Sequence, residues 1–311
     1  MTLPVYFDPK KSLNLFGLNE NFIFLKNLFI KDKLPKVLML SGHKGCGKST
    51  LINHLLFYIF DNDNYNEKNN EFVINTSFYN LFINNIFSNI IYLSGFDFKN
   101  IKIENIRNLK TKILQTSILN KPRFIILDDI ELFNNYSLNA LLKIIEEPSE
   151  NNYFLLINNK TKPLIETIKS RCLDIKILLD NKKRQSIIQS LIKKFSINLI
   201  IDPQTSHLSP GNLIKFNYIY DENKILQEDN FLKNLGVLLN LYKKDKDLLF
   251  IDMISFFTDN HFNKLIEKNL YSNDKIIEQK RFVRENINKF FLYNLNQNAL
   301  LNSINYKVNI E

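Results

Sequence analysis

From about residue 36 to residue 178 the chain alternates short, unbroken apolar runs with longer segments whose apolar residues recur every three or four positions. KVLMLS (36–41), NIIYLS (89–94), RFIILD (123–128), YFLLIN (153–158) and LDIKIL (173–178) each have the length and aliphatic content of a buried strand. Strands that alternate with amphipathic helices predict an α/β domain: a mainly parallel sheet covered by helices on both faces.

Between the second and third strands, Ile103, Ile106, Leu109, Ile113 and Leu114 fall at helical spacing with Lys and Asn opposite, the pattern of a core-facing stripe. The segment 61–75, DNDNYNEKNNEFVIN, is Asn-rich and charged and reads as a surface loop or a partly disordered insertion. After residue 179 the strand signal fades. Residues 182–200 and 212–219 read as helices separated by DPQTSHLSPG, whose two prolines and one glycine mark a break. From about 228 the pattern is helical nearly to the end, with Phe231, Leu235, Leu238, Leu239 and Tyr242 on one face and Phe282, Ile287, Phe290 and Phe291 on another. The expected division is an α/β domain over 1–178, a small helical domain over 179–224 and an all-α domain over 225–311.

Composition narrows the class of protein more than its chemistry. A chain of 311 residues, 45% hydrophobic, is long enough to bury a sizeable core. The N-terminus MTLPVYFDPKK has no apolar signal core, and Asn and Lys interrupt the aliphatic stretches before the roughly eighteen residues that a membrane span needs, so a cytoplasmic protein is expected. The two cysteines, Cys46 and Cys172, form no metal-spaced cluster, which argues against zinc and against a disulfide framework. A net charge of +9 suits a nucleic-acid partner, but the surplus of Lys over Arg and the abundance of Asn and Ile fit A/T-rich codon usage equally well.

Gly42-His43-Lys44-Gly45-Cys46-Gly47-Lys48-Ser49 has the spacing G-x-x-x-x-G-K-[ST], directly after a predicted strand and directly before the apolar helix TLINHLLFYIF. In this context Gly42, Gly45 and Gly47 allow backbone N–H groups to wrap a phosphate, and Lys48 reaches the outer phosphates. Ser49, followed by Thr50, supplies a hydroxyl for Mg²⁺ at a helix N-terminus. ATP with Mg²⁺ is the cofactor expected. Asp128 ends an apolar strand, where a carboxylate can meet the same metal ion. Asp129 is either a water-activating carboxylate, one methylene shorter than Glu, or a structural carboxylate at a helix or loop start.

SLNALLKIIEEPSENNYFLLINN followed by TKPLIETIKSRC resembles the region from the acidic motif to S-R-C in clamp-loader AAA+ subunits, the bacterial DNA polymerase III family and its eukaryotic relatives. FGLNENFIFLKNLFIKDKLPKVLML resembles that family's first helix, so the similarity covers about residues 12–178. LSPGNLIKF (208–216) is similar to the delta-prime type, with Gly211 and Asn212 where hydrolysing subunits carry a γ-phosphate-sensing arginine, and FFLYNLNQNALLNSI resembles its collar helices.

The resemblance implies a lid at 179–224 and an oligomerising collar at 225–311. It implies that Arg171, in Lys169-Ser170-Arg171-Cys172, is an arginine finger inserted into a neighbouring subunit's ATP site. Asn158 or Asn159 takes the place of the first sensor at the end of the fourth strand. Glu146, Glu147 and Pro148 end a helix and shape the surface. The zinc module that many relatives insert after the P-loop helix is replaced by the cysteine-free stretch near 61–75.

The implied function is that of a delta-prime-like subunit of the DNA polymerase III clamp loader. It would bind ATP, hydrolyse it poorly, and act in a hetero-pentamer with gamma/tau-type and delta-type subunits that places the sliding clamp on primed DNA, with no membrane partner. A hydrolysing gamma/tau-type subunit or another AAA+ motor is the alternative, and a stand-alone P-loop kinase or NTPase a more distant one.

Overall fold

The structure is a computed structural model that describes residues 3–95, 103–114, 121–226, 230–268 and 272–308. Its chain divides into two compact units, one formed by Leu3–Ile197 with Pro203–Lys215, the other by Asn198–Asp202 with the residues from Phe216 onward.

The first unit is built on five parallel strands, β1 (Val37–Ser41), β2 (Ile90–Ser94), β3 (Arg123–Asp128), β4 (Asn152–Asn158) and β5 (Leu173–Lys176), in the order β2-β3-β4-β1-β5. Each of the five expected strands is present within a residue or two of its apolar run. The register pairs Ser94 with Asp128, Leu127 with Leu156, and Ser41 with both Asn158 and Lys176, so the C-terminal ends of the strands lie along one edge. Ligands of open α/β sheets bind at that edge.

Successive strand side chains point to opposite faces. Leu38, Leu40, Phe124, Ile126, Leu155 and Ile157 pack on one face with Leu51, Leu55, Leu56 and Phe57 of α2 (Lys48–Phe60) and with α1 (Asn19–Ile30). Val37, Met39, Ile125, Leu127, Phe154 and Leu156 pack on the other. There they meet Ile106 and Leu109 of α4 (Ile103–Leu114) and Leu138, Leu141 and Ile145 of α5 (Asn135–Ile145), with Ile113 alongside; the side chains of Ile103 and Leu114 lie outside the described residues. α5 starts where the Asn134 side chain accepts from the Ser137 N–H at 2.8 Å, an N-cap that satisfies one of the helix's orphan donors.

The Asn-rich segment 61–75 departs from the expectation of a loop or disordered insertion. Tyr65–Asn66 and Glu71–Phe72 pair as a short antiparallel hairpin preceding α3 (Ser77–Ile83). Two aromatics among the asparagines anchor it: Phe72 stacks on Phe57 with centroids 3.8 Å apart, and Tyr65 hydrogen-bonds buried His54 of α2 at 3.0 Å. Burying such side chains contributes about 1.5–3 kcal/mol each and so favours the paired strands over a free polar loop. The other imidazole nitrogen of His54 donates to the Ser12 carbonyl at 3.1 Å, so α2, the hairpin and the N-terminal segment meet on one ring.

After α6 (Glu166–Lys169) and β5, α7 (Asn181–Phe195) is capped by Asp180, whose side chain accepts from Lys183 N, and ends at left-handed Ser196, short of the expected residue 200. Arg184 of α7 donates to the carbonyls of Leu208, Ser206 and Pro203 at 2.7, 2.6 and 2.9 Å and so shapes the proline-containing break before α8 (Pro210–Glu222), longer at both ends than the expected 212–219.

The second unit is helical: the later part of α8, then α9 (Phe231–Asp245), α10 (Leu248–Glu267), α11 (Asn273–Tyr293) and α12 (Gln297–Val308). Its core contains Phe231, Leu235, Leu238 and Leu239 from the first predicted stripe and Ile287 and Phe290 from the second, with Phe231 stacked on Phe257 at 5.2 Å. Asn217 accepts from the N–H groups of Ile200 and Ile201, tying that short segment to α8. None of the described helices is long and apolar enough to cross a membrane.

Candidate nucleotide-binding site

Residues 42–49 form the turn between β1 and α2, as their spacing predicts. Gly45 and Gly47 adopt φ +84° and +94°, a left-handed backbone that residues with a Cβ rarely tolerate. The Gly42 N–H donates to the Asn158 carbonyl at 3.1 Å, anchoring the loop on β4. Lys48 opens α2 and is buried; its ammonium donates to the carbonyls of Gly42 and His43 at 2.6 and 2.8 Å. Burial lowers its pKa from the ordinary lysine value. Thr50 follows in the first turn, half-buried.

Ser49 donates from Oγ to Oδ2 of Asp128 at 3.0 Å, joining two residues 79 positions apart at the edge where β1 and β3 end. Tyr92 of β2 donates to the same Oδ2 at 2.8 Å, and the Asp129 N–H donates to Oδ1 at 2.9 Å. Even so, burial and then the neighbouring charge of Asp129 push the Asp128 carboxyl up to about 6. A buried carboxylate whose ionised form is disfavoured is one that a cation would stabilise.

Asp129 sits at φ +51° before the short turn Ile130–Leu132. Its side chain makes no capping bond there; Oδ1 accepts instead from Nδ2 of Asn159 at 2.7 Å. Of the two asparagines at the end of β4, it is therefore Asn159 whose amide meets the acidic pair. Asn158 turns its Oδ1 to the N–H of Lys160 at 2.9 Å, closing the turn that follows the strand. Buried Glu131 fixes this turn further, accepting from the N–H groups of Asn159 and Thr161 and from the Thr161 hydroxyl at 2.8 Å.

The start of α8 lies on the P-loop. Gly211 N–H donates to the Gly45 carbonyl at 2.9 Å and Ser209 Oγ to the Lys44 carbonyl at 2.6 Å. A Cβ at Gly211 would stand 2.8 Å from the Gly45 oxygen. Arg171 lies elsewhere: Nε and Nη2 donate to Oε1 of Glu146 at 2.8 and 2.7 Å, and Nη1 to the Thr167 carbonyl at 2.9 Å.

The structure thus brings together Gly42, Gly45, Gly47, Lys48, Ser49, Asp128, Asp129 and Asn159, and leaves Arg171 outside that group. These residues fit a magnesium–nucleotide. Gly45 and Gly47 give the turn a left-handed backbone, with no room for a Cβ at Gly45 against Ser209 and Asn212, and Ser49 and Asp128 present two oxygens to one another where a cation would need both. Sequence reasoning missed Tyr92, Glu131 and Ser209. A signal for Tyr92 was present: it is a polar-tipped residue inside a strand otherwise of Ile and Leu up to its final Ser94, and strand parity puts it on the Asp128 face of the sheet, beside Ile126.

Residues 17–181 match the family model described as DNA polymerase III, delta subunit, a span that includes every residue of this site except Ser209 and Gly211. DNA polymerase III subunit delta' of Buchnera aphidicola subsp. Baizongia pistaciae is 31% identical over 168 residues, covering 49% of this chain and 48% of that one. The same subunit of Buchnera aphidicola subsp. Acyrthosiphon pisum is 28% identical over 217 residues, covering 65% and 62%. Each match spans less than two thirds of the relative's length. Among solved structures, a DNA polymerase III gamma subunit-related protein of Thermotoga maritima superposes with a TM-score of 0.51 at 18% identity, covering 91% of this chain and 96% of that one, which is a likeness of fold.

Proposed function

The chain belongs to the DNA polymerase III delta subunit family, and from that membership we propose that it is a delta-prime-like clamp-loader subunit that binds ATP, hydrolyses it poorly, and lends Arg171 to the ATP site of a neighbouring subunit. It works in the cytoplasm in a hetero-pentamer with gamma/tau-type and delta-type subunits, which sets the sliding clamp on primed DNA. Residues 1–178 bind nucleotide, 179–224 form the lid and 225–311 the collar that joins the subunits.

One observation carries this reading. The binding groups Lys48, Ser49 and Asp128 converge, whereas the arginine of the S-R-C motif is held by residues that belong to none of the site. An arginine that serves catalysis from there serves another subunit's site.

ATP with Mg²⁺ supplies the phosphoryl group and the charge that the loop is built to hold. Toward it, the N–H groups between Gly42 and Lys48 would cradle phosphate oxygens, Lys48 would give up its carbonyl partners for the outer phosphates, and Ser49 and Asp128 would hold the metal. Two features act against turnover in cis. Asp129 is a methylene shorter than Glu and already accepts from Asn159, and a misplacement of about 1 Å costs on the order of a hundredfold in rate. Where hydrolysing subunits carry a sensing arginine in the lid this chain has Gly211 and Asn212, and Gly211 packs too closely on Gly45 for a side chain. Both features act on the transition state more than on binding.

Steady-state ATP hydrolysis by the reconstituted clamp loader, with DNA and clamp present, tests the proposal. Arg171→Ala is expected to lower turnover severely, because a trans arginine is worth about 10³–10⁵ in rate at its site, while Lys48→Ala in this subunit leaves turnover nearly intact. A full share of turnover lost with Lys48→Ala would favour a hydrolysing gamma/tau-type subunit instead, with Asp129 serving as the base.

A further inference from the structure

We infer that Glu146 is the positioning residue of Arg171, presetting the guanidinium for its work in trans; this rests on the reading of Arg171 as an arginine finger. An arginine on a surface ordinarily samples many rotamers, yet this side chain, 35% exposed, is held from two directions. Nε and Nη2 both converge on Oε1 of Glu146, at 2.8 and 2.7 Å, while Nη1 donates to the Thr167 carbonyl at 2.9 Å and approaches Ser170 Oγ at 3.4 Å.

Both supports are rooted in the core. Glu146 follows immediately after Ile145, the last residue of α5, and Thr167 precedes Ile168 of α6; Ile145 and Ile168 are both buried in the same cluster beneath the sheet. The Glu146 backbone is itself fixed, its N–H donating to the Leu142 carbonyl at 3.0 Å, and Pro148 stops the helix from continuing. The direction of the guanidinium is therefore set by packing that the isolated subunit already has. A finger so preset loses less conformational freedom when it enters a neighbouring site. The adjacent Glu147 makes none of these bonds and carries the same charge, so it separates a geometric role from a field effect.

The experiment uses the reconstituted clamp loader, with assembly checked by gel filtration and ATP turnover measured as kcat and KM. Glu146→Ala is expected to lower kcat about five-fold with KM unchanged, a small misplacement on the scale that catalytic geometry sets. Glu146→Gln, which keeps an acceptor oxygen for Nε and Nη2, is expected to restore most of it, and Glu147→Gln to match the unsubstituted protein. Unchanged or raised kcat in Glu146→Ala would overturn the inference while leaving the finger intact, provided Arg171→Ala is still impaired. The same deficit in Glu147→Gln would also overturn it, in favour of a charge effect. Wild-type turnover in Arg171→Ala would remove the finger reading and this inference with it.

Discussion

Tyr92 donates its hydroxyl to Oδ2 of Asp128 at 2.8 Å, the same oxygen that Ser49 reaches at 3.0 Å, so a tyrosine from β2 shares the carboxylate that the P-loop serine engages. Both donors favour the ionised form and partly offset the burial that drives the Asp128 pKa up to about 6. Tyr92→Phe keeps the ring and removes one donor. The Asp128 carboxyl is then expected to titrate higher still, seen in its ¹³C shift, with a stability loss of about 1 kcal/mol from the missing hydrogen bond. An unmoved titration would mean that the hydroxyl does not determine the charge state of Asp128.

Asp128 also costs the fold stability at neutral pH. Its pKa rises from 3.8 in the unfolded chain to about 6 in the folded one, so the folded state binds the proton more tightly. Stability contributed by the protonated form is present below pH 3.8 and is lost as pH rises through 6, to a total of about 3 kcal/mol. Asp128→Asn is expected to be more stable than the parent by about 1–3 kcal/mol at pH 7.5 in urea unfolding, with the gain gone near pH 4. A variant less stable at pH 7.5 would contradict this.

His54 has the opposite dependence in the same pH range. Burial depresses it from 6.5 to about 4, against the smaller upward pull of its hydrogen bond to the Ser12 carbonyl. Here the unfolded chain binds the proton more tightly, so stability is full above pH 6.5 and falls by about 3 kcal/mol as pH drops through 4. The two groups nearly cancel between pH 4 and 6. The stability difference between parent and His54→Gln is expected to shrink by that amount on acidification from pH 7 to pH 4. A pH-independent difference would mean that the ring does not titrate as its burial requires.

The sheet was legible because both of its faces are covered: strands buried on both sides must be continuous aliphatic runs, and those of KVLMLS and RFIILD are hard to mistake. The P-loop was legible because close approach to phosphate restricts residue type at fixed spacing. The hairpin in 61–75 was not, since its order depends on Phe57 and His54, which come from another element. For the same reason Glu131 was invisible: nothing in DDIELF announces that its carboxylate closes a turn thirty residues later. Arg171 was legible as motif only, and its geometry depends on Glu146, twenty-five positions away.

The end of β4 gives different partners to the two asparagines between which the sequence leaves the first sensor open. Asn158 bonds along its own chain, its Oδ1 accepting from Lys160, a residue at φ +56° that needs such support. Asn159 bonds across to Asp129 at 2.7 Å, while Glu131 pins its backbone. Asn158→Ala is thus expected to cost stability, about 1 kcal/mol for a lost turn bond, and to leave the affinity ratio for ATP over ADP unchanged. Asn159→Ala removes the donor to the buried Asp129 carboxylate and is expected to cost about 1–3 kcal/mol, and, if the amide that meets Asp129 senses the terminal phosphate as proposed, to lose discrimination between the two nucleotides as well. Urea unfolding and fluorescent-nucleotide competition on both variants decide it. If Asn158→Ala loses discrimination and Asn159→Ala keeps it, the sensor is Asn158, and the contact between Asn159 and Asp129 is only structural.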